Sequence, residues 1–225
     1  MTLIRALAAV AASALVIAGT ASVAWAQAPR ETRGAPAGQF DFYILALSWS
    51  PGFCEANGNR DRDQCEAGSG LRFVVHGLWP QSEQGYPSFC EPGRRPIPRP
   101  ALQDARDLFP SEGLARYQWR KHGSCSGLSP SAYFSAVRRA RALVQIPDGL
   151  ESTSTFTKAL PIEIERAFAE ANRGLRPDMM AVVCGRRIFQ EIRICLSRDL
   201  RAFRTCPEVD RDGCRAGAID IHPPR

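Results

Sequence analysis

Two short stretches of this chain carry side chains that can do chemistry together. Tyr117-Gln118-Trp119-Arg120-Lys121-His122-Gly123-Ser124-Cys125 sets an amide, a lysine and a histidine within about one helical turn and ends on a cysteine. Phe73-Val74-Val75-His76-Gly77-Leu78-Trp79-Pro80-Gln81 carries a second histidine. Imidazole titrates near neutrality, so one ring can be neutral while the other is charged, and a pair can divide base and acid work. A lysine adds a compact point charge. Cleaving a phosphodiester next to a 2′-hydroxyl needs those three services. A base takes the 2′-OH proton, an acid protonates the leaving 5′-oxygen, and a cation steadies the charge building on phosphorus. The set points to RNA cleavage, provided the two stretches meet in space.

On a helix, Gln118 and His122 stand four residues apart and project to one side, with Lys121 beside them. Each histidine also has a plainer explanation, His122 as a helix-end surface residue and His76 as a core residue at a strand end. The frugality of the chain speaks against both. It has three histidines, and two of them fall in segments crowded with Trp, Gly and Cys. The third, His222, precedes two prolines at the end of the chain and takes the plain reading. Trp119 reads as core. Trp79, between Gly77 and Pro80, reads as a loop aromatic able to stack on a base.

The elements that must position these residues are set by periodicity and punctuation. Phe40 to Ser50 is a long apolar run with Tyr43, Leu45, Leu47 and Trp49 on one face, as expected of a buried strand central to a sheet. Leu71 to Val75 is a second, short strand that delivers His76 at its end, and a proline-heavy loop covers Tyr86 to Pro100. Ser111 can cap a helix running to about Cys125. Ser129-Pro130 opens another, with Tyr133, Phe134, Val137 and Val144 on one stripe. A third spans Pro161 to about Asn172, with Gly174 as its stop. Met179 to Cys184 and Arg187 to Ser197 are strand-like, and Ala218 to Ile221 is expected as a last edge strand. No repeat or linker divides the chain. The expected fold class is α+β: one domain over residues 39–225, with a central, mainly antiparallel sheet, several packed helices and disulfide staples.

Met1 to Ala26 has the pattern of a secretory signal peptide: Arg5, an apolar run, then Ala24-Trp25-Ala26 as a cleavage site, with cleavage after Ala28 also fitting. Residues 27–38 are expected to be a flexible lead-in. Eight cysteines lie beyond the leader, and an even count in an exported chain reads as disulfides. Cys54 and Cys65 enclose a polar loop and suggest a local bridge. Cys90 lies just beyond the first histidine stretch, so a bridge from Cys90 to Cys125 would staple the two halves of the site. Tight cysteine and histidine clusters are missing from the sequence, so neither a metal nor another cofactor is expected. The formal charge of +6 becomes +5 when Arg5 leaves with the leader, a balance that suits a polyanion. The mature protein is expected to be a monomer, exported to the periplasm or the medium and free of the membrane after signal cleavage.

These residues resemble the ribonuclease T2 family. His76-Gly77-Leu78-Trp79-Pro80 and Trp119-x-Lys121-His122-Gly123-x-Cys125 look like its two active-site segments, in the family's order and about 45 residues apart. The likeness spans essentially the whole mature chain and includes Gly85-Tyr86-Pro87, Ser126-Gly127-Leu128 and Ile192-Arg193-Ile194-Cys195-Leu196; its flavour is that of the bacterial, exported members. The resemblance implies a metal-independent endoribonuclease of low base specificity that makes 2′,3′-cyclic phosphates and then 3′-phosphates. It implies His122 as base, His76 as acid and Lys121 as the cation on the phosphate, with Trp79 and Tyr86 sandwiching a base. It also implies the pairs Cys90–Cys125 and Cys54–Cys65, and Cys184–Cys214 nested around Cys195–Cys206.

Two departures stand out. Where the family has His-Glu before the tryptophan, this chain has Tyr117-Gln118. Gln118 can hydrogen-bond but cannot hold a proton, and Tyr117 can hydrogen-bond a phosphate but brings no charge. Gln81 stands where some relatives carry an aspartate that contacts adenine. These departures motivate an alternative, a catalytically weakened homologue that binds RNA or another polyanion.

Overall fold

The computed structural model describes residues 31–58, 61–90 and 96–224, so the expected leader, 1–26, lies outside the described residues. In chain order the elements are β1 (Glu31–Arg33), β2 (Phe42–Trp49), α1 (Ser50–Asn57), α2 (Arg62–Cys65), β3 (Phe73–Gln81), β4 (Tyr86–Ser88), α3 (Arg99–Gln103), α4 (Glu112–Lys121), α5 (Pro130–Ala142), α6 (Asp148–Glu151), β5 (Thr157–Ala159), α7 (Pro161–Ala171), β6 (Met180–Gly185), β7 (Ile188–Ser197), α8 (Pro207–Arg211) and β8 (Ile219–Ile221). Short 3₁₀ turns come after α4 (Gly123–Ser126) and before β6 (Pro177–Met179).

β2 is the spine of the main sheet. Its eight residues are all buried, because β3 flanks it on one side and β7 on the other, both antiparallel. β6 also pairs with β7, β8 joins β7 in parallel through one bridge, and β5 pairs with β8. The alternation along β2 sends its residues to two different layers. Tyr43, Leu45, Leu47 and Trp49 enter the main core with Tyr133, Phe134 and Val137 of α5 and Phe168 of α7. Burying a side chain of that size is worth about 1.5–3 kcal/mol, so this face carries the stability of the domain. Phe42 and Ile44 face the other way, into a small cluster with Ala181, Cys195, Cys206 and Val209. The sheet therefore has a thick apolar side and a thin side left open for chemistry.

Three expectations are corrected. The second strand does not end at Val75: β3 runs through His76 to Gln81, since β2 is long enough to pair as far as Phe42↔Gln81. Pro80 is tolerated there because β3 is the edge of the sheet, where a missing N–H need not break a ladder. β8 is not an edge, because β5 pairs outside it from Thr157↔Ile221 to Ala159↔Ile219. Finally, the described part of the expected flexible lead-in is held in place. Glu31–Arg33 pairs in parallel with β4, the Arg33 guanidinium lies 4.0 Å from the centre of the Phe89 ring, and the Gly38 N–H donates to Cys125 O.

The structure holds the pairs Cys54–Cys65, Cys90–Cys125, Cys184–Cys214 and Cys195–Cys206. Cys90–Cys125 ties the end of β4 to the turn after α4, and the Phe89 N–H donates to Lys121 O beside it. The last two bridges bracket α8 and hold it against β6 and β7.

Glu165 of α7 caps the sheet from the apolar side, accepting the Val182 N–H at 3.0 Å. Burial pushes its carboxyl above the usual range, and Asp210 adds to that; the Val182 bond and Arg215 act the other way. A carboxyl raised in the folded state holds its proton more tightly folded than unfolded. Its stabilising contribution is therefore full at acid pH and lost as pH rises through the folded value. Glu165→Gln keeps an acceptor for Val182 and removes the charge. We predict that it raises the melting temperature by about 1–3 °C at pH 7, with the gain vanishing below about pH 4. Thermal unfolding at the two pH values checks this, and an equal gain at both would contradict it.

Candidate active site

The pairing of β3 with β2 slips once. Ala46 lies opposite Gly77 and Leu47 opposite Val75, so His76 has no partner on β2. This is a β-bulge, which inserts one extra residue into a strand and re-aims the side chains beyond it. Residues directly opposite each other share a face. Before the slip Val74 sits with Ser48; after it Gly77, Trp79 and Gln81 sit with Ala46, Ile44 and Phe42. The extra residue changes the parity of the strand, and His76 and Trp79 come to the same open side with ring centroids 5.1 Å apart. From the core side, the Tyr133 hydroxyl donates to Leu78 O at 2.9 Å and fixes the strand between them.

α4 brings the other half. The Ser111 hydroxyl accepts the Leu114 N–H and starts the helix; His122 ends it, its N–H donating to Gln118 O. Gly123 opens the turn beyond, where a Cβ would come within 2.6 Å of Trp119 and 2.9 Å of Tyr133. Gln118, Trp119 and His122 are buried. Trp119 packs in the core, as its sequence context suggested.

Trp79 joins the halves. Its indole N–H donates to Gln118 Oε1 at 2.8 Å, and its ring lies against His122 with centroids 5.1 Å apart and planes 27° from parallel. The Arg193 guanidinium stands 5.2 Å from the centre of the same indole. Trp79 is thus a strand residue and the hub of the site, not the loop aromatic expected. Gly77 is what makes room: a Cβ there would fall 2.2 Å from Trp79 Nε1 and 2.3 Å from Gln118 Oε1.

The two histidines sit in opposite surroundings. His122 is buried, and its Nδ1 has no hydrogen-bond partner among the described residues. Burial first, and then the charges of Lys121, His76 and Arg193, hold its imidazolium form well below the usual histidine range. His76 keeps 37 % of its side chain exposed, and its Nδ1 lies 2.5 Å from Glu191 Oε2. Glu191 in turn accepts Arg193 Nε–H at 2.7 Å. Burial alone raises the Glu191 carboxyl, but the hydrogen bond and charge of His76, with Arg193, outweigh it and keep the group ionised below the usual range.

One cleft of about 360 Å³ is lined by His76, Trp79, Gln81, Tyr86, Tyr117, Gln118, Lys121 and His122 together, so the chain brings every residue singled out for chemistry or binding to one place. Ile44, Arg193, the α8 residues Glu208 and Val209, and Asp212 just after α8 complete its wall. The Glu208 carboxylate accepts the Gly85 N–H at 2.8 Å, which steadies the turn before Tyr86. Across His76 lies a second hollow of about 270 Å³, bordered by Phe53, Asn57, Asp61, Gln64, Leu114 and Glu191 and sharing His76 and Arg193 with the first. Among the described residues no group of three or more His, Cys, Asp or Glu is arranged to hold a metal ion. The chemistry on offer is proton transfer between two imidazoles of unlike environment, with cations beside them.

Glu191, Arg193 and α8 escaped the sequence reading. The alternation of Ile192, Ile194 and Leu196 did place Glu191 and Arg193 on the other face of β7. Only the register, with Glu191 opposite Ser48 and Arg193 opposite Ala46, shows that this is the histidine face.

The ribonuclease T2 family model matches residues 40–206. A ribonuclease of Aeromonas hydrophila is 34% identical over 197 residues, 86% of this chain and 88% of that protein. Among solved structures, RNase NT in complex with 5′-AMP superposes with a TM-score of 0.64 at 21% identity, covering 83% of this chain and 100% of the other. The SF11-RNase associated with self-incompatibility in Nicotiana alata gives 0.63 at 21% identity, with the same coverage. At that identity the two structures establish the fold alone.

Gly77→Ala should break the Trp79–Gln118 bond. A hydrogen bond of this kind is worth about 1 kcal/mol net, so exchange of the Trp79 indole proton should accelerate about fivefold or more. Hydrogen exchange followed by NMR measures it, and an unchanged rate would show that the site tolerates the methyl group.

Proposed function

The chain belongs to the ribonuclease T2 family, and from that premise we propose that it is an exported, metal-independent endoribonuclease. It cleaves RNA through a 2′,3′-cyclic phosphate to 3′-phosphate ends, with low base specificity. The observation that carries this reading is the pair of histidines in one cleft with unlike surroundings, one buried among cations and one held by a carboxylate.

In the first step His122, neutral because of its burial, takes the 2′-OH proton. The 2′-oxygen then forms a bond to phosphorus as the bond to the 5′-oxygen breaks, and His76 gives that oxygen its proton. Lys121 stands beside the charge on the phosphoryl oxygens. In the second step water replaces the 2′-oxygen, with the two histidines exchanging roles. Gln118 has its oxygen engaged by Trp79, so its amide N–H₂ is the group left to donate to the phosphate. Tyr117 adds a neutral hydroxyl at the rim. A base enters against Tyr86 and the open edge of Trp79, with Gln81 at the floor, and the strand continues across His76 into the second hollow. The four disulfides favour an oxidising, exported setting, periplasmic or extracellular, and a monomer suffices because one chain supplies every group.

Tyr117 and Gln118 favour a second reading, a homologue that binds RNA or another polyanion without turning it over. Incubating the purified protein with RNA and a chelator separates the two: cleavage supports the enzyme, and tight binding without cleavage supports the rival. Cleavage that the chelator abolishes would indicate a metal-dependent nuclease. We predict that His76→Ala and His122→Ala each lower kcat/KM by about 10³-fold or more while leaving the melting temperature within a few degrees. Either variant retaining most of the rate would sink the two-histidine mechanism. Because the base must be neutral and burial makes His122 lose its proton readily, the acid limb of the kcat/KM profile should lie on the acid side of an ordinary histidine titration.

A further inference from the structure

Glu191 is buried in the sheet within hydrogen-bonding distance of a histidine proposed to work, and the two-histidine mechanism gives it no task. An ionised carboxylate only accepts hydrogen bonds. Since Glu191 stays ionised, the proton between it and His76 belongs to the imidazole Nδ1. That choice leaves Nε2 as the nitrogen available to a leaving oxygen. Glu191 is itself oriented: Arg193 donates to its second oxygen, and the guanidinium lies over Trp79, which is fastened to Gln118. The chain Gln118–Trp79–Arg193–Glu191–His76 thus links α4 to β7 and β3 across the cleft.

We propose that Glu191 is a positioning residue for the reaction, holding the His76 ring in one tautomer and orientation through Nδ1 and compensating the charge of its protonated form, with Arg193 fixing Glu191 in turn. This inference rests on the ribonuclease reading of the cleft. Among the described residues, the charged and titratable groups lining the two hollows around His76 are Glu191 and Arg193 from β7, Tyr117, Lys121 and His122 from α4 and its end, Tyr86 from β4, Asp61 from the start of α2, and Glu208 and Asp212 in and just after α8. Among the described residues, Glu191 alone makes a hydrogen bond to the ring. Removing its charge leaves Lys121 and Arg193 lining the cleft with His76, without the carboxylate that pairs with both His76 and Arg193.

Glu191→Gln keeps the size and an acceptor while removing the charge. Following the His76 ring by NMR without RNA, the titration midpoint should move about one pH unit or more toward acid. The alkaline limb of the kcat/KM profile should move with it, and kcat should fall about 10- to 100-fold out of the 10²–10⁴ that a positioned acid supplies. Glu191→Asp, which keeps the charge, should hold the wild-type midpoint even if the rate falls, and it serves equally if Glu191→Gln does not fold. An unmoved midpoint in Glu191→Gln overturns the proposal, and so does a moved midpoint with wild-type rate and limb. Failure of the wild-type protein to cleave RNA would instead overturn the ribonuclease reading, while the titration still reports on the Glu191–His76 pair.

Discussion

The slip that leaves His76 opposite no residue of β2 decides which side of the sheet the next five side chains take. Without it, strict alternation would put Gly77 and Trp79 on the core side and Leu78 in the cleft. With it, Leu78 fills the core beneath Tyr133, while Trp79 reaches Gln118, His122 and Arg193. Nothing else in the cleft could be assembled around a misdirected Trp79. Gly77 completes the constraint, because the hub closes only where no Cβ stands between the indole and the amide.

The charges then divide the work. His122 loses solvent and gains cationic neighbours, so its neutral form is favoured; His76 keeps solvent access and a carboxylate. Burying the unpartnered Nδ1 of His122 costs about 1–3 kcal/mol of stability by itself, which the thick apolar face of the sheet can offset. Disulfides are placed where the cleft needs rigidity. Cys90–Cys125 fastens the turn after His122, and the nested pair holds α8, whose Glu208 reaches the turn before Tyr86. Small displacements at such a site cost rate steeply, so stiffness serves the chemistry directly.

Much of this was legible in the residues alone. Tyr43, Leu45, Leu47 and Trp49 announced a buried strand, Ser111 and Ser129 announced helix starts, and the histidine stretches named the residues that line the cleft. Hidden were properties that belong to pairings between segments. A bulge is a mismatch of two strands, so Leu71 to Val75 read as a strand that simply stopped at His76. Glu191 looked like the polar phase of an alternating strand, since its partner lies more than a hundred residues away. α8 is a short helix whose place depends on two covalent bridges. The lead-in looked featureless because its order comes from β4, Phe89 and Cys125.

In the mechanism proposed for this cleft, two histidines transfer protons around a 2′-hydroxyl displacement at phosphorus. The most direct test is ³¹P NMR of a dinucleoside monophosphate such as uridylyl-adenosine during incubation with the purified protein and excess chelator. The two-histidine mechanism predicts that a 2′,3′-cyclic phosphate resonance accumulates first and gives way to a 3′-monophosphate. Direct appearance of a 5′-phosphate, or no reaction until a divalent metal is restored, would contradict it.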